Sequence, residues 1–110
     1  MIFASTPTRN AVMKIDLSLS NTELYKGCAI EVVAGRANLT TPIAEAVELV
    51  GANIAALVGA IPAADRQKVV LTGPMAVWSY LVVFHAVVHA FREVVYDDGR
   101  SGPVVVARHG

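Results

Sequence analysis

The chain has 110 residues, 55 % of them hydrophobic and 16 % charged, and its nine basic and nine acidic side chains cancel. A chain of that length buries roughly two-thirds of its unfolded surface, enough for one core. A zero net charge excludes the broad basic surface that long nucleic acid requires, yet a small anion can still be held by a few local arginines. Cys28 is the only cysteine, which excludes an internal disulfide and predicts a reducing, cytoplasmic setting.

Residues 1–20 contain no apolar run of the secretory kind. Alternation of Met13, Ile15, Leu17 and Leu19 with Lys14, Asp16 and Ser18 predicts a strand over 13–19 with one wet face. A polar turn over 21–27 follows, then a second strand over 28–33 and a loop over 34–40. Thr41-Pro42 opens a helix, with Thr41 as N-cap and Pro42 at the first helical position. Ile43, Val47, Val50, Ile54, Leu57 and Ile61 form its apolar stripe over 41–64, and Pro62 ends or weakens it.

The run 68–72 reads as a β-branched strand, and Gly73-Pro74 turns into a second helix ending near Phe91. Residues 74–91 carry no formal charge and reach spanning length. Ser79, His85 and His89 interrupt them, so the expectation is a buried helix. A strand over 93–96, a dense turn from Asp97 to Gly102 and a strand over 103–108 complete the chain. The expected fold is a single α/β domain over residues 1–110, ordered β-β-α-β-α-β-β. It has a mixed sheet, two helices and a C-terminal antiparallel hairpin.

Four polar residues stand out in the last part: His89, Asp98, Arg100 and His109. Together they offer two imidazoles, a carboxylate and a guanidinium, a set able to hold a divalent metal and neutralise a phosphodiester. Each also has a structural reading. His89 can donate to a backbone carbonyl, Asp98-Gly99 is a common hairpin dipeptide, Arg100 can be solvated, and His109 lies next to the last residue. His85 and His89, spaced i, i+4, share a helix face, but no Glu sits between them as in HExxH. The amides of Met75 and Ala76 offer an anion site at a helix start.

Topology places these groups at two poles. Asp98 and Arg100 belong to the turn at the top of the hairpin, whereas His89 ends a helix at the bottom and His109 follows the descending strand. Five strand residues separate the poles, roughly 16 Å at about 3.3 Å each. One chain therefore cannot bring all four to one atom, and a shared site requires the top of one molecule against the bottom of another.

Gly73-Pro74 with Trp78, then His89, then Asp98-x-Arg100, then Val104, Val105 and Val106 followed after two residues by His109, resembles the small type III CRISPR-associated ring nucleases. The likeness covers 68–109, and its specific part is the spacing: nine residues from His89 to Asp98, two to Arg100, nine to His109. The resemblance implies Mn2+-dependent cleavage of cyclic tetra-adenylate to linear di-adenylate, switching off antiviral signalling. Single-stranded RNA is a further implied substrate, since members were first described as deadenylating exoribonucleases. It implies His89 and Asp98 as metal-linked or catalytic, Arg100 as the phosphate ligand and His109 as an assisting group. A homodimer is implied too, with dimers associating head to tail around the ring. The competing expectations are a non-catalytic cyclic-oligoadenylate binder and a structural or partner-binding module.

Overall fold

The computed structural model describes residues 12–109, so the first eleven residues read for a secretory leader, and Gly110, lie outside it. Strand β1 (Val12–Asp16) is followed by β2 (Ile30–Val33), β3 (Arg36–Leu39), α1 (Ile43–Gly59), β4 (Lys68–Thr72), α2 (Val77–Val88), β5 (Glu93–Asp97) and β6 (Pro103–Arg108). Four strands form one mixed sheet in the order β1-β4-β5-β6. The first three are parallel, and β6 closes the expected antiparallel hairpin.

The pleat divides the sheet sharply. Ile15, Val69, Leu71 and Val94 point to one face and join Val50, Ile54 and Val58 of α1 with Val83 and Val87 of α2 in the core. Both helices therefore cover the same side. The opposite face carries Val12, Lys14, Val70, Val95 and Asp97, and among the described residues no helix covers it. Ion pairs cross its lower end, where Glu93 takes Lys68 at 3.7 Å and Arg108 at 3.2 Å.

The second strand departs from expectation. It does not join the main sheet, and residues 34–40 are not a loop: β2 pairs antiparallel with β3 in a separate two-stranded ribbon. The connection is Ala34-Gly35, with φ of 53° and 75°. Two consecutive positive φ values make the tight hairpin turn whose twist suits antiparallel strands, and alanine conceals it because Asn or Asp usually marks that place.

Thr41 is not the N-cap of α1. Its hydroxyl instead accepts the Ala29 amide at 2.6 Å and ties off the base of the ribbon, leaving Pro42 at the cap. The helix stops at Gly59, short of residue 64, because Pro62 cannot continue it and starts a 3-10 turn at Ala63–Asp65. The buried stripe is Ala46, Val50, Ile54 and Val58, one residue round from the expected line at its start, so Ile43 is 59 % exposed. In α2 the first helical residue is Val77, since Gly73 (φ 101°) and extended Ala76 delay the turn. No helix among the described residues is long and apolar enough to cross a membrane.

Candidate functional site

Parallel strands deliver their carboxyl ends to one rim of the sheet, where α/β proteins usually bind ligands. Here that rim carries Asp16 at the end of β1, Thr72 and Gly73 at the end of β4, and Tyr96 to Gly99 at the end of β5. A crevice of about 400 Å³ opens between the last two, lined by Thr72, Gly73, Pro74, Tyr96, Asp98 and Gly99. Gly73 lets the end of β4 pass close to the segment that follows β1. A Cβ there would lie 2.3 Å from Asp16 Oδ1 and 3.0 Å from the Ser18 nitrogen, and its φ of 101° disfavours any side chain.

Asp98 is held by its own turn. Its Oδ1 accepts the amides of Arg100 and Ser101, both at 2.8 Å, and Oδ2 meets the Ser101 hydroxyl at 3.3 Å. The Ser101 and Arg100 amides hold its carboxyl below the ordinary range, so it is an anion throughout neutral pH. The Asx-type turn explains why an exposed five-residue connection has one shape. Arg100 is exposed beside it, free to reach an anion in the crevice.

Tyr96 was not singled out by the sequence. Its ring is 39 % exposed on the crevice wall and meets Tyr80 edge-on, with centroids 5.6 Å apart. Tyr80 in turn donates its hydroxyl to the Gly73 carbonyl at 2.6 Å. The signal was its place in the chain, two residues before Asp98 at the end of β5, and both line the crevice.

The other pole gathers imidazoles. His89 caps the C-terminus of α2, and its ring centroid is 6.0 Å from that of His85 and 6.5 Å from that of His109. The His109 amide donates to the Arg92 carbonyl at 2.6 Å, which pins the chain end beside the helix end. The four expected residues thus fall into two pairs, His89 with His109 and Asp98 with Arg100, at opposite ends of β5 and β6. The Met75 and Ala76 amides precede the helix, so they do not form its first turn.

Mn2+ favours oxygen and imidazole donors in octahedral array. Asp98 has carboxylate lone pairs to give, but His89 lies at the far end of the strand. Among the described residues no group of three or more His, Cys, Asp or Glu is placed to hold a metal. One chain alone therefore does not fit such a centre.

These features define an α/β domain with a mixed sheet, helices on one face and polar groups at both rims. No known protein family, characterised protein or solved structure matches the chain.

Proposed function

We propose that the protein is a cytoplasmic Mn2+-dependent phosphodiesterase that opens cyclic tetra-adenylate to linear di-adenylate, at a site built from two chains. The observation that carries this reading is the pairing itself: Asp98 and the exposed Arg100 in the turn beside a crevice at one rim, and two exposed imidazoles with ring centroids 6.5 Å apart at the other. Their spacing along the chain is the part that resembles the ring nucleases. Stacking the rims of two molecules would put both halves about one phosphodiester.

The chemistry follows from the side chains. The ribose 2′-oxygen attacks its neighbouring phosphorus while the P–O5′ bond breaks, leaving a 2′,3′-cyclic phosphate and a free 5′-hydroxyl, and two such cleavages at opposite sides of the ring give two linear di-adenylates. One imidazole of the His89–His109 pair takes the 2′-hydroxyl proton, and the other gives a proton to the departing 5′-oxygen. Arg100 neutralises charge on the non-bridging oxygens, bidentate geometry favouring arginine for that task. Asp98 fixes the turn that presents Arg100. A metal shared between Asp98 of one chain and His89 of another would complete the donor set that a single chain lacks.

The test is incubation with cyclic tetra-adenylate, with and without Mn2+, read by mass spectrometry. Linear di-adenylate that forms only with metal supports the reading. A ring that stays intact and co-elutes with the protein makes it a binder instead, and an intact, unbound ring ends the proposal. Asp98→Ala and His89→Ala should each lose about a hundredfold or more in rate. Mixed together they should recover part of it, because each supplies the rim that the other lacks.

A further inference from the structure

Tyr80 fastens both walls of the crevice at the upper rim. The β4–α2 connection forms one wall with Thr72, Gly73 and Pro74, and the end of β5 with its turn forms the other with Tyr96, Asp98 and Gly99. Tyr80, in the first turn of α2, is half-buried against the core. Its hydroxyl donates to the Gly73 carbonyl on the first wall, and its ring meets Tyr96 on the second. A second tie joins the strand ends, where the Thr72 hydroxyl donates to the Asp97 carbonyl at 2.8 Å. A slot with both walls fastened keeps its shape without a ligand, so an occupant loses little free energy in ordering it.

Tyr96 offers this slot a flat aromatic surface. Its plane stands at 80° to that of Tyr80, and in such an edge-to-face pair Tyr80 covers at most one face of the Tyr96 ring. The residue is still 39 % exposed, and it lines the crevice. An exposed aromatic ring held in one orientation is a platform on which a planar base can stack. Charge then orients the ligand. Asp98 lines the slot as an anion and repels negative charge from it, whereas Arg100, exposed one residue past Gly99, attracts it. The slot therefore suits the neutral, planar part of a ligand whose anionic part lies outside, against the turn. A nucleotide is divided in this way, and a volume of about 400 Å³ is within the roughly 300–1,000 Å³ of small-molecule sites.

We propose that the crevice is a nucleobase subsite, in which Tyr96 stacks on one base of the substrate while the attached phosphate lies against Arg100. Tyr80 is the positioning residue that holds Tyr96 and the opposite wall in place. That the base is adenine rests on the nuclease reading above; the division between base and phosphate rests on the slot.

The test compares two ligands on the full chain without metal, adenosine 5′-monophosphate and the base-free ribose 5′-phosphate, by calorimetry and proton NMR. The nucleotide should bind wild type about tenfold tighter than the sugar phosphate, the factor that stacking one base supplies. Its base protons should move upfield in the ring current of Tyr96. Tyr96→Phe should keep both effects. Tyr96→Leu should lower nucleotide affinity to that of the sugar phosphate and leave the sugar phosphate unchanged, which a merely distorted site would not do. Tyr80→Phe should weaken the nucleotide alone, and Arg100→Ala should weaken both ligands. A nucleotide that does not bind, equal affinities in the wild type, unmoved base protons, or a Tyr96→Leu loss shared by both ligands would each overturn the subsite. None of these readouts involves cleavage. Base-dependent binding by a protein that leaves cyclic tetra-adenylate intact would end the nuclease reading alone, and cleavage with base-independent binding would end the subsite alone.

Discussion

Replacing Tyr25 by phenylalanine tests how the segment after β1 is fastened. Tyr25 and Ser79 are almost wholly buried, and the phenol donates to the Leu17 carbonyl while lying 2.8 Å from the Ser79 hydroxyl. Its one proton goes to Leu17, so Ser79 must be the donor to the phenol oxygen. Tyr25→Phe deletes the hub of this chain and leaves both a buried carbonyl and a buried hydroxyl without a partner. Each orphan costs about 1–3 kcal/mol, and together they amount to about 2–4 kcal/mol if one partly re-pairs. Ser79→Ala removes only an outer donor and should cost about 0.5–1.5 kcal/mol. Urea unfolding reads the difference, because slopes of about 1–3 kcal/mol/M put the Tyr25→Phe midpoint about 1 M or more below wild type. The double variant should be less destabilised than the sum by about 1 kcal/mol, since Ser79 is no longer there to be orphaned. Strict additivity, or a Ser79→Ala cost equal to that of Tyr25→Phe, would refute the donor assignment.

Gly73→Ala should be destabilised by about 1–3 kcal/mol in chemical unfolding, through the positive φ and the approach to Asp16. Asp98 should titrate below the ordinary carboxylate range by carbon-detected NMR. Its lowered folded value means its contribution to the turn is present above the ordinary range and is lost as pH falls through the lowered one. Asp98→Asn should abolish that acid-range opening of the 98–102 turn. Burial raises the Tyr25 phenol, so the folded state holds its proton longer than the unfolded chain does. Stability should therefore decline as pH rises past about 10, and the decline should vanish in Tyr25→Phe by thermal unfolding.

The second half of the chain was legible because its signals are local. A β-branched run, a Gly-Pro turn, an apolar helix and a hairpin rich in Asp and Gly follow one another over 68–108, and their order already assigns each polar group to a rim. What stayed hidden depended on distant partners. Tyr25 lies in a polar, turn-like stretch, and one of the two partners of its buried hydroxyl, Ser79, is 54 residues away. The ribbon was invisible for the opposite reason. Its turn uses alanine at positive φ, and its face stays exposed, so neither turn chemistry nor a buried alternation announced β3. The α1 stripe was displaced because two surfaces compete for that helix. It packs on α2 as well as on the sheet, which draws Ala46 inward and leaves Ile43 in solvent.

The two-rim arrangement has a kinetic consequence that does not depend on which nucleotide is cleaved. A β-strand is a stiff rod, and the five residues of β5 hold its ends roughly 16 Å apart at about 3.3 Å per residue. An imidazole must come within about 3 Å of the proton it moves, so no side-chain rotation in one molecule can join His89 to the Asp98 crevice. Any reaction that needs both rims is then second order in protein at low concentration. Specific activity should rise with protein concentration and level off once association saturates, and excess ligand should shift that rise to lower concentration by holding two rims together. Measured across a dilution series, a specific activity that stays constant down to the lowest concentration would mean that one rim suffices. In that case the crevice around Tyr96 and Asp98 becomes the whole site, and the histidines revert to holding the end of α2 against the end of β6.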